Sequence, residues 1–233
     1  MPTEPRLSRH PQRAALHNEI HARPPEAVKA PLACLHIVML ADADMREASR
    51  AHLASLLRDH HAPLPDAQTT HLRMDLGAFR VRWELHTEFV AWTFTTALRT
   101  EGFGEREPTG VATVIPRDWL AALPGECLCS LNLWALENSD FGDASLVGHV
   151  LNEDTLVAST VAGGHGELYT DFALHADGCA RMVLLVGGMT PRRLGRLVQQ
   201  LLEIETYRMA ALLGLPAARD ASTVLGSAER ELA

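Results

Sequence analysis

The chain is poor in the features that most readily betray a function. Its four cysteines, Cys34, Cys127, Cys129 and Cys179, contain no Cys-x-x-Cys pair, so neither a disulfide framework nor a zinc-finger spacing follows. Positive charge is scarce: 21 Lys and Arg stand against 29 Asp and Glu, a formal net charge of -8. That balance excludes a sequence-independent grip on nucleic acid, which must neutralise many phosphates. The longest apolar run, 31–41, is interrupted by His36 and is too short to span a bilayer. The first residues carry Pro2, Pro5, Arg6 and Arg9 without an apolar h-region, so no secretory signal is expected. No Gly-x-Ser-x-Gly elbow supports a serine hydrolase. Gly163-Gly164-His165-Gly166 lacks the Lys-Ser/Thr of a phosphate-binding loop and reads as a hairpin turn. These absences lead to the expectation of a soluble, cytoplasmic chain with no nucleic-acid partner and no membrane segment.

What is present is a globular composition. Of 233 residues, 47% are hydrophobic and 21% charged, enough to bury a sizeable core in one domain or two small ones. Twelve histidines make the net charge sensitive to mild acid. Cys127 and Cys129 read as small core residues.

Local patterns predict the elements in order. A short helix from Pro11 carries His17, Asn18, Glu19 and His21 and ends at Arg23-Pro24-Pro25. A buried strand over 32–40 leads to a helix over 45–60 that Asp42 or Asp44 can cap. Strands follow at 69–74, 80–88 and 89–96. Gly102, Gly104, Pro108 and Gly110 make 101–110 the best boundary between halves. The second half reads as a short helix at 117–123, a strand at 127–136, a weak helix at 144–151, and strands at 155–161, 167–174 and 181–186. Thr190, Pro191 and Gly214 then bound a long helix, with Leu194, Leu197, Val198, Leu201, Ile204, Ala211 and Leu212 as its apolar stripe. Glu205 and Arg208 share that stripe and should pair if buried. The tail over 217–233 can start another helix.

The pattern predicts an α+β fold of mostly antiparallel strands. It forms a single globular domain with two sheet halves, about 1–100 and 111–213. Each half runs strand, helix and three strands, which suits a duplicated βαβββ unit of the vicinal-oxygen-chelate kind. The long helix also offers a homodimer face over 191–213.

The richest chemistry lies at 80–88. Phe79, Val81, Trp83 and Leu85 fall on one side of a strand, and Arg80, Arg82, Glu84, His86 and Glu88 on the other. Such a row is either a charged sheet face or one wall of a buried polar site. In the second case His86, Glu84, Glu88 and Glu19 are acid/base candidates, and Arg23, Arg82, Asn18 and Asp171 are substrate-binding candidates. Asp171, on one strand face with Tyr169, can orient a histidine, although a surface pair is the plainer reading. His17 and His21, at i and i+4, can meet one metal, zinc or iron, with His86, Glu84 or Glu88 as further ligands.

Four motifs carry a resemblance. They are His17-Asn-Glu-Ile-His-Ala-Arg-Pro24, Arg82-Trp-Glu-Leu-His-Thr-Glu-Phe89, Tyr169-Thr-Asp-Phe172 and Gly195-Arg-Leu-Val-Gln-Gln-Leu-Leu-Glu-Ile-Glu-Thr-Tyr-Arg208. Together they resemble a bacterial family of uncharacterised membrane-anchored proteins built on a domain of unknown function. The resemblance implies a membrane-proximal domain, membrane-associated in a longer form, and implies no activity.

Two functional expectations follow, the first leading and the second its alternative. One is a small-molecule enzyme whose His, Glu and Arg site performs acid/base or metal-assisted chemistry on a polar or anionic ligand. The other is a cytoplasmic sensory or interaction module in which the same residues form a structural network and the long helix transmits or dimerises.

Overall fold

The structure, a computed structural model, describes residues 10–13, 25–98, 110–137 and 145–232. The expected N-terminal helix with His17, Asn18, Glu19, His21 and Arg23, and the expected connection over 101–109, lie outside these residues.

Eight strands form one mixed sheet: β1 Leu32–Leu40, β2 His71–Asp75, β3 Arg80–Leu85, β4 Phe89–Ala97, β5 Glu126–Glu137, β6 Val157–Val161, β7 Gly166–Thr170 and β8 Ala180–Val186, in the order β2-β3-β4-β1-β5-β8-β7-β6. The helices are α1 Ala43–Asp59, α2 Arg117–Ala121, α3 Ser145–Val150, α4 Pro191–Leu212 and α5 Leu215–Leu232. The fold is therefore α+β and mostly antiparallel. No helix among the described residues is long and apolar enough to cross a membrane.

β1 is the centre. Its near-continuous apolar run is buried on both sides, as a strand with covered faces should be. It pairs antiparallel with β4 and with β5, so the two halves of the chain join edge to edge along it. Each half follows the strand, helix, three-strand order, but the pairing differs. β1 runs antiparallel to β4, whereas β5 runs parallel to β8. The halves thus share connectivity without sharing strand directions.

One face of the sheet packs Leu35, Ile37, Phe79, Val81, Trp83 and Trp92 under Leu53, Leu56 and Leu57 of α1. Asp42 caps α1, its carboxylate accepting from the Met45 amide, which satisfies one orphan donor of the first turn. Trp83 donates its indole N–H to the buried Ser49 hydroxyl of α1 at 2.8 Å. The other face packs Leu32, Cys34, Leu131, Leu133, Met182 and Leu184 under Leu194, Leu197, Val198, Leu201 and Leu202 of α4. Thr190 caps α4 and Pro191 occupies its first turn, where a missing N–H costs nothing.

Several expected boundaries move. β3 stops at Leu85, because His86, Thr87 and Glu88 form the turn into β4 and the His86 amide donates to the Phe89 carbonyl. β7 stops at Thr170, because Phe172 has φ +52°, a left-handed conformation no strand contains. On α4, Ile204 and Leu212 are exposed, and Glu205 and Thr206 take the buried positions. Cys127 is exposed and Cys129 buried, since a register shift beside Val38 separates their surroundings.

Gly195 fixes how closely α4 meets the preceding chain. A Cβ there would lie 1.6 Å from the Glu26 carbonyl oxygen, and the Val28 amide donates to the Pro191 carbonyl beside it. Gly195→Ala is expected to destabilise the domain by at least about 2 kcal/mol through overpacking against backbone, measured as a lowered denaturant midpoint with an unchanged slope.

Candidate functional site

The polar site grows out of strand register. β2, β3, β4 and β1 set Arg73 opposite Arg82, Arg82 opposite Thr93, and Thr93 opposite His36. Side chains directly opposite across a ladder point to the same face, so these four form one polar row under α4. The row ends at Leu131 of β5, where the face becomes apolar.

α4 crosses the row and bonds it twice. Arg82 donates from Nη1 to Gln199 Oε1 at 3.2 Å and from Nη2 to Glu84 Oε1 at 2.6 Å. Gln199 in turn donates to Glu203 at 2.7 Å. The Arg82 and Glu84 side chains are only 14% and 9% exposed, so this is a pair held away from bulk water, where breaking one partner is costly. Arg73 sits across from a second guanidinium. Burial and then the Arg82 cation lower its pKa, with Glu26 and Glu84 acting in the opposite sense. Glu26 also pairs with Arg80.

The second contact is His36. Thr206 Oγ1 donates to the Leu202 carbonyl at 2.9 Å and lies 3.0 Å from His36 Nε2, while His36 Nδ1 lies 2.9 Å from Thr93 Oγ1. A hydroxyl has one proton to give. With it spent on Leu202, Thr206 accepts from a protonated Nε2, and Thr93 donates to Nδ1. His36 is thereby assigned as a neutral tautomer. Burial, with the Arg82 cation and His86 adding to it, pushes its pKa down to about 3.

The other expected site residues part company with this row. The His86 ring stacks on Phe89 at 4.2 Å, and Phe89 meets Tyr207 of α4 edge-on. Glu88 lines an open cleft of about 520 Å³ with Leu40, Ala41, Asp42, Met45, Gly125 and Glu126; Arg82, Glu84 and His86 are not among its walls. Asp171 belongs to a third place, the β7–β8 loop. It is buried and accepts from the Asn152 and Ala173 amides at 2.8 and 3.0 Å, and its Oδ2 is 2.9 Å from His175 Nε2. Burial alone would raise its pKa, but the two amides and His175 hold it below the usual carboxylate range. Tyr169 bonds Glu167 instead, so Asp171 is a buried histidine partner and not half of a surface pair.

Among the described residues no three His, Cys, Asp or Glu side chains are arranged to hold a metal; His17, His21 and Glu19 lie outside them. Burial pushes the Cys34 and Cys129 thiols up to about 12, which keeps them neutral and unreactive. Sequence reading missed Arg73, Gln199, Thr93 and Thr206. His36 did leave a signal, as the one histidine inside an otherwise apolar strand.

The buried imidazole predicts a pH effect of definite sign. Below an unfolded pKa of about 6.5 the unfolded chain takes up a proton that native His36 refuses until about pH 3. Stability should therefore fall with acidification through that window, by up to about 1.4 kcal/mol per pH unit from this group. Denaturant titrations of wild type and His36→Gln at pH 7, 6, 5 and 4 check it, the variant losing that part of the slope.

No curated protein and no solved structure matches the chain. A family model does, over residues 8–233, which include β3, the His36 row and the α4 segment that covers it. The chain belongs to the family described as "Protein of unknown function (DUF3422)".

Proposed function

We propose that this domain is a cytoplasmic interaction module, in which the sheet serves as a platform for a long helix and the helix makes the contacts. The observation that carries the reading is the second face of α4. While Leu201, Leu202, Glu205 and Thr206 are buried against the sheet, Ile204 and Tyr207 stand 62% and 57% exposed on the opposite side. Apolar residues then continue outward through Ala211, Leu215 and Leu225. Exposed apolar surface organised along one line marks a contact site more often than isolated residues do.

The polar row supports the same reading. Arg82 and Glu84 are closed on each other and on Gln199, which ties β3 to α4, and His36 ties β1 and β4 to it through Thr93 and Thr206. The small-molecule enzyme reading draws its support from the cleft beside Glu88, whose volume is within the range of ligand sites. The interaction reading has the firmer basis because the charged groups of the row face the helix.

Glu84→Gln separates the two. In a network that seats α4 it should cost about 2–4 kcal/mol, since it leaves the Arg82 cation short of its counter-charge, whereas Ile204→Ser should stay within about 0.5 kcal/mol. Thermal and chemical unfolding of both variants check this. Unchanged or increased stability in Glu84→Gln would assign the pair to a ligand site instead and overturn the module.

A further inference from the structure

We propose that the occupant of the outward helix face is a second copy of this chain, packed parallel and in register; the inference rests on the interaction-module reading. Ile204, Ala211, Ala218 and Leu225 recur every seven residues, and Tyr207, Gly214 and Ala221 recur three residues after the first three of them. That is the a and d spacing of a coiled-coil seam. It follows the end of α4 and, past the tight turn at Leu213 and Gly214, continues into α5, and residues 211–222 are exposed throughout. The sheet touches this seam at the ring of Tyr207, which meets Phe89 edge-on, and leaves Ile204 and Leu225 exposed. A sevenfold repeat is self-complementary, so the sequence that makes the seam also makes its partner.

Charge selects the orientation. In a parallel pair the residue just before an a position faces the residue five further along the other helix. Here those are Glu203 and Arg208 of the partner subunit, and the two-fold axis makes the contact twice. An antiparallel pair brings like flanks together, so Glu203 and Arg208 would not meet. Both groups have partners within the chain that leave part of their bonding capacity for the contact. Glu203 accepts from Gln199 through Oε1, and Arg208 is gripped by the buried Glu205 through Nε and Nη2, with its guanidinium 5.4 Å from the centre of the Phe172 ring. The grip spends no Nη1 proton, so that nitrogen can reach the second carboxylate. Ala211, Gly214 and Ala218 at the centre of the seam let the two helices approach closely.

Sedimentation equilibrium of the full chain tests the proposal. A reversible dimer is expected at about 100 µM, and Ile204→Glu or Leu225→Glu should each weaken it by at least about a hundredfold by burying an unpaired charge. Glu203→Arg should weaken it by about tenfold. Tyr207→Cys and Leu225→Cys, each made in a Cys127→Ser background, should both form a disulfide with their own copy under mild oxidation, because an antiparallel pair can set at most one of these two positions against itself. A monomer at that concentration, or a dimer indifferent to both glutamate substitutions, overturns the proposal, and failure of either of these cysteine variants to cross-link overturns its orientation. Maleimide labelling of Ile204→Cys inside cells, in the same background, tells the two levels apart. A chain monomeric in solution but shielded at residue 204 in cells loses only self-pairing, whereas one that is monomeric and freely labelled loses the interaction reading as well.

Discussion

Burial of β1 on both faces is the constraint from which the rest of the architecture follows. A strand with eight buried residues in succession cannot lie at an edge or face water. It therefore takes β4 on one side and β5 on the other, and it needs a helix over each face. α1 follows it directly and covers one face; the cover for the other comes from α4, far along the chain. Because β1 presents His36 on that second face, the covering helix must bring a hydrogen-bond partner as well as leucines. Thr206 is that partner. An apolar residue in its place would leave a buried imidazole N–H unsatisfied, at a cost of about 1–3 kcal/mol.

The same demand explains why charges can lie under α4. Arg82 and Glu84 follow the alternation of β3 faithfully, so their face is set by the strand and not by their polarity. What makes the position tolerable is mutual pairing at 2.6 Å together with Gln199. Such a pair adds little net stability against a well-packed apolar alternative, but it penalises any misplacement of the helix. The row thus acts on the register of α4 along the sheet, while the leucines supply most of the attraction.

Much of this was legible locally. The alternation of 79–85, the Asp42 and Thr190 caps, the Gly163–Gly166 hairpin and the limits of the long helix are all short-range signals, and they mark real elements. Pairing across the chain was not legible. Arg82 and Gln199 are 117 residues apart and His36 and Thr206 are 170 apart, and no spacing rule links such residues. The strand ends that moved did so for local reasons with weak sequence signs. Phe172 takes a left-handed backbone because the Asp171 carboxylate binds the amide after it and the imidazole of His175, a turn that its apolar neighbours disguise as strand.

The long helix shows where periodicity alone fails. Its leucines predicted a single stripe that included Ile204, Ala211 and Leu212, yet the sheet beneath has room for only one side of the cylinder. Past Thr206 the sheet contributes little more than Val38, Phe89 and Cys129, with Met209 packed against them. From Ala211 onward the helix has left the platform altogether. Beyond the edge of the sheet the helix still carries exposed apolar residues, Leu212, Leu213, Leu215 and Leu225 among them, which its own sheet does not cover. The choice of Glu205 and Thr206 for the inner side at that point assigns the polar groups to the sheet and frees Ile204 and Tyr207 for the outer one.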